Sequence, residues 1–159
     1  MLKEKIDFQL IFFLLIIFVL SRIIYNTIFQ ISLDESFIVY SQQTIDLKLL
    51  QNDLLKSLFY HHSQPPLFNF ILGILLKCSG SNFYYLSQFI YYFLSLFSII
   101  TFYFICRQLN FSFLNSFLFS TLLLFSPSLI GFENHYFYSL PSMFFINLIF
   151  LFLIKSFKE

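Results

Sequence analysis

Two short polar runs carry the residue types that could do chemistry. Asp34-Glu35 opens a polar passage from Ser32 to Pro66, and His61-His62-Ser63-Gln64-Pro65-Pro66 closes it. A third cluster, Glu133-Asn134-His135-Tyr136, follows much later. A carboxylate within hydrogen-bond reach of a hydroxyl can act as a general base. Histidines with carboxylates can hold a divalent cation or contact a phosphate, and Asp34, His62 and Glu133 are the candidate metal ligands. Each cluster also has a plainer reading. Asp34-Glu35 can be a helix-capping or solvated loop pair, His61-His62 a pair of interfacial loop residues, and Glu133 alone is a weak signal. What gives them weight is whether they share one side of a membrane, and that depends on the elements between them.

The composition makes a membrane the expected solvent. The chain is 58% hydrophobic and 11% charged, with 27 Phe and 10 Tyr among 159 residues. Its mean hydropathy is +0.81. Soluble domains are about 45–50% apolar and about 25% charged. The net charge of +1, with no basic run, gives no reason to expect nucleic acid. Cys78 and Cys106 read as two buried small residues, so no disulfide is expected. The chain lacks Ala and Trp and is rich in Phe, Ile, Asn, Lys and Tyr, as AT-rich codons would produce, so its many Phe do not denote an aromatic binding site.

About 20 apolar residues cross the ~30 Å hydrocarbon core. The stretches near 8–28, 83–106, 111–131 and 137–154 reach or approach that length. Lys3 and Lys5 precede the first and place the N-terminus in the cytoplasm. A signal peptide is disfavoured because no small-residue cleavage site follows and the apolar run continues past Arg22. Arg22 then lies near the outer end, where its long stem can snorkel. The outer loop, about 32–66, contains Leu47, Leu50, Leu54 and Leu58 at helical spacing, which predicts an amphipathic helix from about Thr44 to Tyr60 on the membrane surface or bundle top. Pro65-Pro66 stops one helix and can start another. Residues 67–76 are short for a span and read as a juxtamembrane or re-entrant helix. If they do not span, Arg107, Lys155 and Lys158 lie inside and Glu133 outside. If they span, Lys77 alone is inside, so basic-residue counting favours four spans. The expected fold is therefore an all-α polytopic membrane protein with four transmembrane helices, with all three polar clusters on the outer side.

With that topology, the Asp34-Glu35 pair after a first apolar span, the loop end His-x-x-Gln-Pro-Pro-Leu (His61 to Leu67) and the polar turn before a later span resemble the N-terminal part of GT-C fold membrane glycosyltransferases. The likeness is to the dolichyl-phosphate-mannose–protein mannosyltransferase and aminoarabinose transferase group. It covers roughly Phe8 to Phe150, a small part of such an enzyme. The resemblance implies sugar transfer from a polyprenyl-phosphate carrier to an extracytoplasmic acceptor. It assigns Asp34 as catalytic base beside Glu35, and gives His61, His62 and Gln64 to the lipid phosphate or the shape of the site. A second acid of the family falls here on Ser139, two positions ahead of Pro141. Glu133 is the substitute from a turn or two away, with His135 and Tyr136 beside it. A divalent metal is a candidate cofactor.

On this reading the chain is the N-terminal piece of a longer enzyme, is inactive alone, and has missing C-terminal spans and membrane lipid as partners. Short loops and the look of the motif favour a bacterial inner membrane with the site facing the periplasm. The alternative is a small non-enzymatic integral membrane protein that binds lipid or partner helices. A proton-relaying transporter ranks lower, since the acids sit at segment ends.

Overall fold

The computed structural model describes residues 2–33, 44–60, 65–135 and 137–158. Every regular element among them is helical. In chain order these are α1 (Leu2–Thr27), α2 (Leu47–Asn52), α3 (Leu54–Tyr60), α4 (Pro66–Ser79), a single 3₁₀ turn (Gly80–Asn82), α5 (Phe83–Gln108), α6 (Phe113–Leu124), α7 (Pro127–Asn134) and α8 (Ser139–Ser156). Three helical stretches are long and apolar enough to cross a membrane: Lys5–Thr27, Pro66–Gln108 (α4, the 3₁₀ turn and α5 together) and Ser139–Ser156. A fourth is available if α6 and α7, bent by 51° to each other, act as one broken span.

Local chemistry sets these boundaries. Asn110 adopts a left-handed φ of 67° after α5. The Phe111 N–H then reaches back to the Cys106 carbonyl at 3.1 Å, closing the helix as a left-handed residue past the C-cap does. Ser112 caps α6 by accepting from Asn115 N–H at 3.2 Å. Pro66 begins α4 in the first-turn position, where a missing N–H costs nothing. Pro127 does the same for α7, and here it corrects the continuous span expected over 111–131. Pro127 cannot donate to the turn before it, and Ser126 takes an extended conformation, φ −60° and ψ 126°.

The single amphipathic helix expected over 44–60 is also divided. Asp46 caps α2 by accepting from Lys48 N–H at 2.7 Å. Asp53 ends α2, and its carboxylate accepts from Lys56 N–H at 3.3 Å at the start of α3. Both helices pack against α4. Leu50 and Leu54 are buried, with Leu47 and Leu58 packed alongside the core. Leu54 lies so close to Gly73 that any side chain there would collide with it.

Five serines with no exposed surface, Ser87, Ser95 and Ser98 on α5 and Ser116 and Ser120 on α6, sit in the core of the helix packing. In a chain without alanine they are the small residues that let helix backbones approach. Helix α5 is the central element and touches α1, α4, α6, α7 and α8. Helix α8 leaves Phe145, Ile146, Ile149, Phe150 and Phe152 exposed, a surface suited to hydrocarbon.

Polar pairs fix how the long helices run. Asp7 near the start of α1 accepts from Arg107 Nε at 3.0 Å and from the Tyr103 hydroxyl near the end of α5. Lys158 donates to the Gln108 carbonyl, bringing the end of α8 to the same place. At the opposite end, Asn26 of α1 donates to Tyr92 of α5 at 3.1 Å. The Tyr91 hydroxyl donates to the Phe137 carbonyl before α8 at 2.9 Å. Helix α5 thus runs antiparallel to α1 and parallel to α8. Cys78 and Cys106 are free thiols, and Cys78, in the last turn of α4, is exposed, contrary to the burial expected of it.

Candidate functional site

Of the residues singled out by the sequence, Asp34, Glu35, His61, His62, Gln64 and Tyr136 lie outside the described residues. Glu133 and His135 lie within them, as do the chain positions flanking the other clusters.

Glu133 was expected at the rim as a ligand for substrate or cation. It is instead 1% exposed, held by an arginine from another helix. Arg22 Nε donates to Glu133 Oε2 at 2.8 Å, and Arg22 Nη2 and the Ser95 hydroxyl both donate to Oε1. Gln88 Nε2 donates to the Glu133 backbone carbonyl at 3.1 Å. A carboxylate in an apolar bundle needs a cationic partner, and this one has a bidentate one.

Arg22 is correspondingly not a snorkelling side chain. It is 5% exposed and turns inward. Its Nη1 donates to Ser21 Oγ at 2.9 Å and to the Leu124 carbonyl at 3.2 Å, while the guanidinium carbon lies 4.2 Å from the centre of the Phe18 ring. Leu124 is the last residue of α6, whose carbonyls lose their onward partners where Pro127 breaks the helix, so the cation also caps that break. With these contacts made, Arg22 has little capacity left for an external phosphate. The pair joins α1 to α7 and, through Ser95 and Gln88, both to α5.

His135 donates from Nδ1 to the Gly131 carbonyl at 2.8 Å and stacks on Phe137, with ring centres 6.2 Å apart. It closes α7 and sits beside the turn that leads into α8.

Asn69, fully buried on the first turn of α4, was not singled out by the sequence reading. Its Oδ1 accepts from Ile45 N–H at 2.8 Å and its Nδ2 donates to the Pro65 carbonyl at 3.0 Å. Ile45 follows closely on the segment carrying Asp34-Glu35, and Pro65 directly follows His61–Gln64. One side chain thereby ties together the ends of both motif-bearing segments. An asparagine inside an otherwise apolar run is the sequence signal for such a residue, since an amide placed there must find partners. Asn69→Ala is expected to cost about 1–3 kcal/mol by leaving the Ile45 N–H unpaired, while the Pro65 carbonyl keeps the backbone N–H of residue 69. Faster proteolysis within 44–64, with the rest of the bundle intact, is the result to look for.

Among the described residues, no group of three His, Cys, Asp or Glu side chains is placed to hold a metal ion. No protein family, curated protein or solved structure matches the chain.

Proposed function

We propose that the chain forms the N-terminal, acceptor-activating part of an integral membrane glycosyltransferase that uses a polyprenyl-phosphate-linked sugar. One observation carries the reading: Asn69 draws the ends of the Asp34-Glu35 and His61–Gln64 segments together at the top of an apolar helical bundle. Pro65 also lies across one groove from Tyr138, close to the Glu133–His135 turn. The resemblance carried by the motif residues supplies the chemistry. Asp34 removes the proton from an acceptor hydroxyl as its oxygen attacks the anomeric carbon. The bond from that carbon to the phosphate oxygen breaks, and its electron pair leaves with the lipid phosphate. Glu35 flanks the base, while His61, His62 and Gln64 face the phosphate. Glu133 anchors Arg22 and holds the bundle beneath them.

The decisive experiment compares sugar transfer in membranes carrying the wild-type or the Asp34→Asn protein in its full gene context. Loss of transfer with normal insertion supports the reading, and unchanged transfer removes Asp34 from the chemistry. The complete engagement of Glu133 by Arg22 and Ser95 favours the second reading, a non-enzymatic membrane protein, for that cluster alone.

The proposed membrane is a bacterial inner membrane with the Asn69 end facing the periplasm. Four spans with α4 outside require the exposed Cys78 to face outward. Wild-type Cys78 is expected to react with a membrane-impermeant maleimide in intact cells with an opened outer membrane. Labelling only after the inner membrane is lysed would place the end of α4 in the cytoplasm and reverse the topology.

A further inference from the structure

A groove of about 340 Å³ lies between α4, the first half of α5 and the start of α8. That is within the ~300–1,000 Å³ of small-ligand sites. Leu67 and Ile71 of α4, Ile90 and Leu94 of α5, and Phe145 of α8 line it, and Pro65 and Tyr138 border it. Leu67, Ile71 and Phe145 are also exposed on the outer surface of the bundle, so the groove opens sideways toward the surrounding solvent.

Ser87 lines this groove, has no exposed surface, and its hydroxyl has no hydrogen-bond partner. Ser98 and Ser120 are also buried without a partner, but of the three only Ser87 lines this groove. Ser79, Thr101, Ser116 and Thr121 each turn back to the carbonyl four residues earlier, at 2.6–2.9 Å. A buried hydroxyl left without a partner is costly, and here the side chain borders an open, otherwise apolar space.

We propose that the groove seats one acyl chain of a membrane glycerophospholipid, with an ester carbonyl accepting a hydrogen bond from Ser87 Oγ. The order of residues along α5 selects this occupant. Ser87 lies close to the outer start of the helix, at the depth where ester groups meet hydrocarbon, and Ile90 and Leu94 follow toward the interior. A polyprenyl phosphate would have to bring its charged phosphate to Ser87, and the residues lining the groove include no Lys, Arg or His to pair that charge, whereas an ester carbonyl is neutral. The inference rests on the membrane placement of the helices and not on sugar transfer, so it can fail while the transferase reading stands.

The test is photo-cross-linking of the purified protein reconstituted with phosphatidylcholine that carries a diazirine in one acyl chain, read by peptide mass spectrometry. Labels are expected to concentrate in residues 65–75, 87–94 and 138–145. Ser87→Ala is expected to lower that labelling about fivefold, the effect of one hydrogen bond. Ile71→Trp, which fills the groove from its exposed side, lowers it at least about tenfold by steric exclusion. Leu122→Trp, on the 70% exposed outer face of α6, leaves it unchanged. Labels spread evenly over all exposed apolar faces, or no change in Ser87→Ala, would overturn the proposal. Displacement of the acyl probe from these peptides by equimolar polyprenyl phosphate would overturn it as well.

Discussion

Asp34→Asn, introduced in the full gene context, is expected to lower sugar transfer about 10²–10⁴-fold, the usual contribution of a positioned general base. The substitution keeps size and much of the hydrogen-bonding shape but removes the negative charge that makes the oxygen basic enough to take the acceptor's proton. A lipid phosphate already leaves well, so activating the acceptor is where a base has most to contribute. Glu35→Gln is the internal control. If Asp34 alone is the base, the Glu35 variant keeps most of its activity. If the two carboxylates share the proton, both variants fall together and the pair titrates as a unit. Wild-type levels of membrane-inserted protein must accompany the loss, because a misinserted chain would also lose transfer. Full transfer by the Asp34→Asn protein would leave the polar passage a loop and nothing more.

The helical class and the positions of the long apolar segments could be read from composition and segment length, because both depend on local sums of side-chain transfer energies. Pro65-Pro66 likewise marked the start of α4 correctly, since proline acts on its own turn. The divisions at Asp53 and Ser126-Pro127 were missed for the opposite reason. A hydropathy window averages over a single proline, and a leucine stripe continues across an aspartate that caps two helices at once. Harder still was Arg22, whose partner lies 111 residues away. Nothing local says whether an arginine near a helix end reaches outward to water or inward to a carboxylate. The usable signal was the placement of single charges at segment ends. Arg22 and Glu133 are lone charges near the ends of apolar segments that meet at one end of the bundle, as Asp7 and Arg107 are at the other. Charges in an apolar bundle are expensive singly, so two such coincidences predict two pairs. Asn69 is a third case, a polar residue that looked like an interruption and proves to be a tie between loops.

Glu133→Gln alone is expected to destabilise the folded chain by about 3–5 kcal/mol, because it leaves the Arg22 guanidinium buried without its counter-charge. Arg22→Met should cost as much by stranding the carboxylate, which would keep only Ser95. Replacing both, as Arg22→Met with Glu133→Leu, is expected to recover most of the loss, since the desolvation cost disappears with the charges. Recovery should stop about 1 kcal/mol short, because the Leu124 carbonyl at the α6 break also loses its donor. Reversible unfolding in mixed micelles measures all four members of the cycle. Single variants within about 0.5 kcal/mol of wild type would mean that water reaches the pair and that it behaves as a surface ion pair. The same set of variants separates support from chemistry. If Glu133 only holds α1 against α5 and α7, the double replacement regains transfer together with stability. If the double variant folds as well as wild type yet stays inactive, the carboxylate acts on the reaction itself, and the Arg22 contact is the means by which the apolar bundle keeps it charged.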